Sequence, residues 1–386
     1  MAKTFKPSNG KLLTQEANDQ DVSSWTDHYF KRTKEAVGKF GDVPVTYAVF
    51  MRRPVVCAPR LAIDWLKSMA KERGFKIDID LQYPEGKWVG AGEPIFYLTG
   101  PLHGLVDLET QMLMKLGPAC VAAYNASTMC ADLPNVGFLA MDARHCAGRE
   151  MAETMAYAAR VGSDRAKRKA GAIGFIGNAT DATAHFFDKP GGLGTMPHAF
   201  IGYAGSTVRA AEMFDEAFPG DPMTVLVDYF AQEVTDSIAV CERFPERAKK
   251  GEISIRIDTP GSRFIEGLDP SVSYAVLEEK IPHSIRGYRS DAELAYLVGA
   301  GTSAAAFYFM RDALDKAGFK KVKIVGSSGF SPAKCKIMAE AEAPVDIIGT
   351  GSYIPAKWSE TYATADIIEY DGQARVKVGR EFLFRK

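Results

Sequence analysis

The stretch that decides the fold is VKIVGSSGFSPAKCKIMAEA, residues 322–341. It begins with a short apolar run typical of a buried strand, and after a Gly/Ser turn it continues with a Ser-Pro helix start. The same alternation runs from residue 136 to residue 351. The predicted strands span residues 136–144, 172–178, 198–204, 223–230, 253–258, 322–329 and 345–351. Strands that alternate in this way with helices predict a parallel sheet closed into a (β/α) barrel.

The segment before the barrel predicts a smaller α/β region. A helix is expected over residues 26–40, and strands are expected over residues 43–51 and 94–100. The apolar residues 105–133 predict two helical pieces broken near Gly117-Pro118, because proline interrupts a helix. No GxGxxG motif follows the early strands, which disfavours a dinucleotide-binding fold.

The end of the chain predicts a hairpin that turns at Asp371-Gly372 and packs on the N-terminal strands. We therefore expect an α/β fold in two domains. Residues 1–115, completed by residues 356–386, form an N-terminal α/β domain, and residues 116–355 form an irregular (β/α) barrel.

The composition is that of an ordinary globular enzyme, with 386 residues, 46% hydrophobic and 25% charged. The net charge of -1 favours neither a nucleic-acid partner nor a membrane partner. The six cysteines are scattered without CxxC spacing, which indicates free thiols in a reducing compartment. No secretory signal or membrane-spanning run is evident, so we expect a cytoplasmic protein.

Polar residues and glycines collect at the predicted strand ends. The carboxyl ends of parallel barrel strands share one face, where barrel enzymes have their active sites. Each residue alone is more simply explained as a turn former or a strand-end ion pair, and only the clustering favours a functional site. In chain order the candidates are Asp142, Arg144, Asn178, Thr180, His198, Asp228, Arg256, Asp258, Ser327, Ser328, Gly329, Gly349, Thr350, Gly351 and Ser352.

The last two strands of the run end in the Gly/Ser-rich segments GSSGFS and GTGSY, which indicate phosphate binding. Arg144 and Arg256, with Arg53 and Lys377 as further candidates, supply charge for phosphate oxygens. Acidic residues beside several phosphates indicate Mg²⁺, which prefers few carboxylates and several substrate oxygens. The residues themselves therefore predict a barrel enzyme that acts on a small, multiply phosphorylated ligand.

Eight motifs occur in order between residues 26 and 380: TDHYFKRT, DARH, GTMPHAF, LVDYF, RIDTPGSR, IVGSSGFS, IIGTGSY and VKVGR. This ordered set resembles the nicotinate phosphoribosyltransferases, in particular their shorter, archaeal-like branch. The resemblance implies that nicotinate and phosphoribosyl pyrophosphate give nicotinate mononucleotide and pyrophosphate, with ATP as a co-substrate. It also implies homodimers or larger homo-oligomers whose active sites are shared between subunits.

The resemblance implies roles for four catalytic residues. His198 matches the histidine that ATP phosphorylates beside the ribose, and imidazole is a suitable nucleophile near neutral pH. Arg256 and Asp258 match the pair that binds the ribose and the phosphates. Asp228 matches a carboxylate near the substrate.

Further residues match substrate-binding positions. Tyr29, beside Asp27, matches a ring that stacks on the pyridine from the neighbouring subunit. Arg53 matches a basic residue of the phosphate site, and Arg144 matches an arginine near the substrate ring and its carboxyl or carboxamide group. The residues that match the 5′-phosphate cradle are Ser328, Gly329, Gly349, Gly351 and Ser352.

The sequence departs from the resemblance at several positions. Met141 stands near the place of an aromatic wall, and His145 replaces a second arginine of many relatives. Thr259-Pro260-Gly261 lacks the second carboxylate that relatives carry after the equivalent of Asp258. Ala179 aligns with an aspartate of nicotinamide-using relatives. That aspartate would repel the carboxylate of nicotinate, so its absence here favours nicotinate as the substrate. Asp181 lies close to that position.

Other functions remain as alternatives. Nicotinamide phosphoribosyltransferase is one, and quinolinate phosphoribosyltransferase is another, with the basic residues of segment 160–171 as candidate ligands for the extra carboxylate. A barrel that only senses nucleotides predicts loss of the strand-end charges, which are present. A phosphate-binding isomerase or synthase explains the Gly/Ser ends but not TDHYF or VKVGR.

Overall fold

The computed structural model of the chain describes residues 19–194, 196–351, 353–356 and 363–385. Ser352, a predicted phosphate-binding residue, lies outside these ranges. The described strands are β1 Pro44–Met51, β2 Val55–Val56, β3 Asp78–Leu81, β4 Trp88–Val89, β5 Pro94–Pro101, β6 Gly137–Ala140, β7 Gly174–Asn178, β8 Met223–Leu226, β9 Ile253–Ile257, β10 Lys323–Gly326, β11 Ile347–Thr350, β12 Ala363–Tyr370 and β13 Gln373–Ala374.

The described α-helices are α1 Asp19–Trp25, α2 His28–Phe40, α3 Arg60–Glu72, α4 Leu102–Leu105, α5 Glu109–Asp132, α6 Arg149–Ala170, α7 His198–Ala204, α8 Thr207–Ala217, α9 Glu233–Arg243, α10 Pro245–Lys250, α11 Pro270–Lys280, α12 Pro282–Arg286, α13 Asp291–Val298, α14 Ala304–Lys316 and α15 Pro332–Glu340. Short 3-10 helices span Val106–Leu108, Ala143–His145, Asp181–Phe187 and Glu381–Leu383.

The chain divides into two compact units. The first comprises residues 1–127, 142–165 and 354–386, and the second comprises residues 128–141 and 166–353. Helices α5 and α6 each begin in the first unit and end in the second. The domain boundaries predicted at 115/116 and 355/356 stay a prediction.

The first unit contains an antiparallel sheet with strand order β13-β12-β1-β5-β3. Strand β12 pairs with β1 from Val45 to Met51, so the tail of the chain completes the N-terminal sheet. The predicted hairpin is confirmed: β12 and β13 pair around Asp371 and Gly372, whose φ angles of 49° and 74° are those of a tight hairpin turn.

Helix α5 corrects one expectation. The predicted break near Gly117-Pro118 is wrong, because a single helix runs from Glu109 to Asp132 with Pro118 inside it. A proline in a helix costs a backbone hydrogen bond. Here Leu116, Ala119 and Cys120 are fully buried, and burial of the helix offsets that cost.

The second unit contains six parallel strands in the order β7-β6-β11-β10-β9-β8. The last strand, β11, pairs with the first strand, β6, in register from Ile347–Gly137 to Thr350–Ala140. A barrel pairs its last strand with its first, whereas the common doubly wound sheets do not. The predicted α/β class is confirmed, and β7 and β8 are the two edge strands of the described sheet.

The predicted third strand, residues 198–204, is wrong, since this segment is helix α7. Phe200, Ile201 and Tyr203 favoured a strand by propensity alone. The segment lies between Pro197, which is extended at the helix start, and Gly205, which ends the helix with a φ of 78°. Both are helix-boundary signals, and they outweigh the propensity.

Two further findings concern the whole described chain. All six cysteines are free thiols. Five of them are buried, and Cys146 is half-buried. Within the described ranges, no helix combines the length and the apolar character that crossing a membrane requires.

Candidate active site

His198 and Asp228 form a hydrogen-bonded pair in the second unit. His198 is the first residue of α7, and Asp228 follows β8 by two residues. The imidazole Nε2 lies 3.2 and 3.1 Å from the two carboxylate oxygens of Asp228. The carboxylate is buried, whereas 47% of the imidazole is exposed. An Nε2–H that donates to Asp228 leaves the lone pair of Nδ1 available, so the pair presents an oriented nucleophile or base.

Arg256, Asp258 and Ser327 form a closed network at the ends of β9 and β10. The guanidinium of Arg256 donates to the Ser327 hydroxyl at 2.9 Å and to Oδ2 of Asp258 at 2.9 Å. The Ser327 hydroxyl donates to Oδ1 of Asp258 at 2.8 Å. The parallel pairing of Val325 with Arg256 and of Gly326 with Ile257 brings these residues together. The network fixes one buried guanidinium at the sheet end.

Glu233 and Arg263 connect the loop after β9 with Asp228. The fully buried carboxylate of Glu233 accepts a hydrogen bond from the Thr259 hydroxyl at 2.8 Å and pairs with Arg263 at 2.6 Å. Arg263 also donates to the backbone carbonyl of Asp228 at 2.7 Å. Sequence reasoning missed both residues. Arg263 stands in the quoted RIDTPGSR motif, but no sequence signal marks Glu233, because a glutamate at a helix start is common.

The predicted phosphate segments follow β10 and β11. Ser328 and Gly329 have φ angles of 75° and 70°, so the chain turns sharply after Ser327. A side-chain carbon at Gly349 would lie 2.9 Å from the Met141 sulfur, so the Met141 side chain packs closely against Gly349. Thr350 is buried, and its hydroxyl donates to the Phe330 carbonyl at 3.0 Å. Gly351 follows β11 directly. Met141 and the two Gly/Ser segments therefore lie close together at the same sheet end.

Asn178 and Thr180 form a compact turn after β7. The Asn178 amide donates to the Thr180 carbonyl at 2.9 Å, to the Thr180 hydroxyl at 3.1 Å and to the Thr183 hydroxyl at 2.5 Å. The Asn178 carbonyl oxygen is buried and has no partner in the described residues. Asp181 accepts the backbone N–H of Gly192 at 2.7 Å, so its carboxylate stabilises this loop.

In the first unit, Tyr29 and Lys377 line one cavity of about 540 Å³. The Tyr29 ring is 62% exposed and lies 4.3 Å from the Phe30 ring. Glu109 also lines the cavity, and burial, with Asp366 and Asp27 nearby, raises its pKa to about 8. Two predicted substrate-binding residues of distant sequence position therefore share one concave surface.

The remaining predicted residues of the first unit occupy separate positions. Asp27 precedes α2 and accepts the Thr110 hydroxyl at 3.0 Å. The Arg53 guanidinium lies 5.4 Å from the centre of the Tyr124 ring. Arg144 is exposed on the 3-10 turn that follows Asp142. Burial raises the pKa of Asp142 to about 6, although its own backbone and Cys146 donate to it.

The acids at the sheet end are compatible with a metal ion that binds mainly through the substrate. In the part of the chain that the structure describes, no group of three or more His, Cys, Asp or Glu side chains is arranged to hold a metal. Both oxygens of Asp258 already accept hydrogen bonds, and Asp228 is paired with His198. These two carboxylates would serve Mg²⁺ only if substrate oxygens and water supplied most of its ligands, which is the coordination that Mg²⁺ usually keeps.

Comparison with known proteins agrees with the sequence motifs. No protein-family model matches the chain. The nicotinate phosphoribosyltransferase pncB2 of Mycobacterium tuberculosis, from two strains, is 25% identical over 78% of this chain and 56% of the relative. The resemblance to nicotinate phosphoribosyltransferases is thereby confirmed. The chain spans about half the length of the curated relatives that it matches.

Two solved structures share the fold. The nicotinate-nucleotide pyrophosphorylase from Pyrococcus furiosus has a TM-score of 0.69 at 22% identity and covers 94% of this chain and 80% of its own. The human nicotinic acid phosphoribosyltransferase has a TM-score of 0.60 at 15% identity and covers 91% of this chain and 76% of its own. Both comparisons cover both units, so the fold similarity extends over nearly the whole chain.

Proposed function

We propose that the chain is a nicotinate phosphoribosyltransferase, which joins nicotinate to phosphoribosyl pyrophosphate and serves NAD biosynthesis or salvage. The observation that carries the proposal is the pairing of His198 with Asp228 beside the Arg256–Asp258–Ser327 network at one sheet end. The Mycobacterium tuberculosis relative supports the same reaction by its name.

The ribosyl transfer breaks one bond and forms one. The pyridine nitrogen of nicotinate donates its electron pair to C1 of the ribose, and the C1–O bond to pyrophosphate breaks, so pyrophosphate leaves with that electron pair. Positive charge develops on the ribose in the transition state. Asp258, held by Arg256 and Ser327, is the carboxylate that we assign to the ribose hydroxyls, while Arg256 neutralises phosphate oxygens.

ATP coupling is assigned to His198. The Nδ1 lone pair attacks the γ-phosphorus of ATP, an N–P bond forms, and ADP leaves with the electrons of the broken O–P bond. Asp228 orients the ring and stabilises the positive charge that the imidazole gains. Hydrolysis of the phosphohistidine by water then releases phosphate and restores His198.

Mg²⁺ is the proposed metal cofactor. When bound, it neutralises the charge of the pyrophosphate that leaves. Substrate oxygens would supply most of its ligands, with Asp258 and Asp228 as the acids available from the chain. A second carboxylate ligand next to Asp258 is not expected, because Thr259 and Pro260 follow it.

Nicotinate is favoured over nicotinamide by the turn after β7. Ala179 brings no carboxylate to this turn, and the Asp181 carboxylate is engaged by Gly192. Quinolinate, with two carboxylates, needs further basic groups. The basic segment 160–171 has a simpler explanation, since Arg160 pairs with Asp164 at 2.7 Å and three cations occupy the last turn of α6, where they complement the helix dipole.

We further propose a cytoplasmic homo-oligomer in which neighbouring subunits share active sites. The Tyr29 ring is exposed beside a cavity of the first unit and is therefore accessible to a neighbouring subunit, which is compatible with this proposal. Asp27, Arg53, Arg144 and Lys377 keep their proposed roles in substrate binding.

A product assay tests the proposed function. Purified protein is incubated with phosphoribosyl pyrophosphate and Mg²⁺ and with nicotinate, nicotinamide or quinolinate, each with and without ATP. Of the three pyridines, we expect only nicotinate to be converted to its mononucleotide, and we expect ATP to accelerate this reaction. Turnover of nicotinamide or quinolinate in preference to nicotinate would replace the proposed substrate, and no turnover of any of the three would refute the reaction class.

A further inference from the structure

Lys334 is a buried cation for which the proposed reaction has no role so far. It lies in the first turn of α15, and only 6% of its surface is exposed. Its ammonium donates to the Thr302 hydroxyl at 2.8 Å and to the Ser328 carbonyl at 3.0 Å, and it lies 4.3 Å from the centre of the Phe330 ring. Lys334 forms no ion pair with any carboxylate of the described residues. Its ammonium therefore meets only neutral oxygens and a ring, and its positive charge is not neutralised by a counterion of the described residues.

Thr302 and Lys334 together fix two peptide groups after β10. The Thr302 hydroxyl donates to the Ser327 carbonyl at 3.0 Å, while Lys334 donates to the Ser328 carbonyl. In a trans peptide the carbonyl and the N–H point in opposite directions, and the chain has no cis peptide in its described part. The N–H groups of Ser328 and Gly329 must therefore point away from Lys334. In the described ranges neither N–H has an acceptor.

The backbone at this point needs support. Ser328 has a φ of 75°, which is costly for a residue with a side chain. Space lies open at Gly329, where an added side-chain carbon would meet no atom within 4 Å. Two unpaired N–H groups beside open space form an arrangement that binds anions.

We propose that Lys334 is a positioning residue for an anion site formed by Ser327, Ser328 and Gly329, where it holds the strained turn and places a positive charge behind the bound anion. The inference rests on the proposed function for the identity of that anion, the 5′-phosphate of the substrate. The anion site itself can be tested without the reaction.

The charge of Lys334 predicts how binding depends on pH. Burial lowers the pKa of Lys334 to about 8. Below that pH the ammonium is charged in the free protein, and anion affinity is constant. Above it, binding must take up a proton, so the affinity falls as the pH rises. The other titratable groups that face Lys334 are Tyr296, whose ring centre lies 6.0 Å away, and Cys335, whose pKa burial raises far above its usual value. Arg256 and Asp258 lie beyond Ser327.

Sulfate is the probe, because it keeps two negative charges throughout the range from about pH 7 to about pH 9.5 in which Lys334 titrates. Its dissociation constant is measured by calorimetry for the wild type, for Lys334→Met and for Lys336→Met. Lys336 is the matched control, since it is exposed on the same helix. We expect Lys334→Met to weaken binding by about tenfold or more at pH 7 and to abolish the loss of affinity above pH 8. Lys336→Met should retain both properties. Wild-type affinity and pH profile in Lys334→Met would overturn the inference.

Thr302→Val provides a second test that keeps the ammonium, and it decides the matter if Lys334→Met does not fold. Loss of the hydroxyl releases the Ser327 carbonyl, so sulfate should bind several-fold more weakly while the pH dependence persists. Unchanged affinity would overturn the positioning role. If sulfate behaves as expected but the wild type forms no nicotinate mononucleotide, the proposed function fails and the inference about Lys334 stands.

Discussion

Replacement of Glu233 by glutamine tests the buried ion pair beneath the candidate site. The carboxylate is completely buried, and it meets Arg263, the Thr259 hydroxyl and the backbone N–H of Glu266. Glutamine has almost the same shape, but it replaces one oxygen by an NH₂ group and removes the charge. One donor then faces another donor, and Arg263 loses its counterion.

The expected loss of stability follows from these contacts. Removing one partner of a buried ion pair costs about 3–5 kcal/mol. The Arg263 side chain is 30% exposed, so solvent screens part of its charge, and we take the lower end, about 3 kcal/mol. For a folding unit of this size, each kcal/mol lowers the melting temperature by about 2–4 °C. Glu233→Gln should therefore unfold about 6–12 °C below the wild type.

Thermal unfolding followed by circular dichroism measures this loss. Glu212→Gln is the control, because its carboxylate also meets two arginines, Arg209 and Arg243, at the surface, where ion pairs contribute little. In Glu233→Gln/Arg263→Met the uncompensated charge is gone, and this variant should unfold above Glu233→Gln alone. A wild-type melting temperature for Glu233→Gln, or a further drop in the double variant, would refute the reasoning.

Three further predictions concern activity and pH. His198→Ala should lose the stimulation by ATP and keep some basal turnover, measured as nicotinate mononucleotide formed with and without ATP; equal loss of both rates would contradict the assigned role. Tyr29→Ala should be impaired, and an equimolar mixture with inactive Arg256→Ala should regain part of the activity, because sites shared between subunits combine intact halves; a mixture no better than its components would argue against sharing. The pKa of Glu109 is raised to about 8, so its carboxyl keeps its proton in the folded chain, whereas in the unfolded chain it loses the proton from about pH 4.5 upward. The wild type should therefore lose stability relative to Glu109→Gln as the pH rises to 8, measured by thermal unfolding. A stability difference between the two proteins that stays constant with pH would contradict the raised pKa.

Much of the parallel sheet could be predicted from short apolar runs alone. Strands β6 to β11 each fall inside a predicted strand, because strands buried on both faces read as continuous apolar segments. The strand predicted over residues 198–204 was wrong, because the same residue types also suit a short helix. Only Pro197 and Gly205 distinguish the helix from a strand. The continuity of α5 across Pro118 also could not be predicted, because it depends on burial of the helix.

The candidate site was predictable to the level of strand ends but not of partners. Parallel pairing of β9 and β10 brings Arg256 beside Ser327, and this follows once the strand order is known. The pairing of His198 with Asp228 depends instead on where α7 places an imidazole. Glu233 and Lys334 were missed because a buried charge carries no mark in the sequence; its role appears only when its partners are known.

Among the described residues, three buried or half-buried cations near the sheet end differ in the groups that face them, and this difference decides which of them attracts a phosphate most strongly. Arg256 meets Asp258 and Arg263 meets Glu233, so each is fixed in place with little net charge. Lys334 meets only neutral oxygens and a ring, so a net positive charge remains behind the turn after β10. A phosphate dianion is therefore attracted to that turn more strongly than to Arg256 or Arg263, whose charges are offset by the carboxylates that they meet.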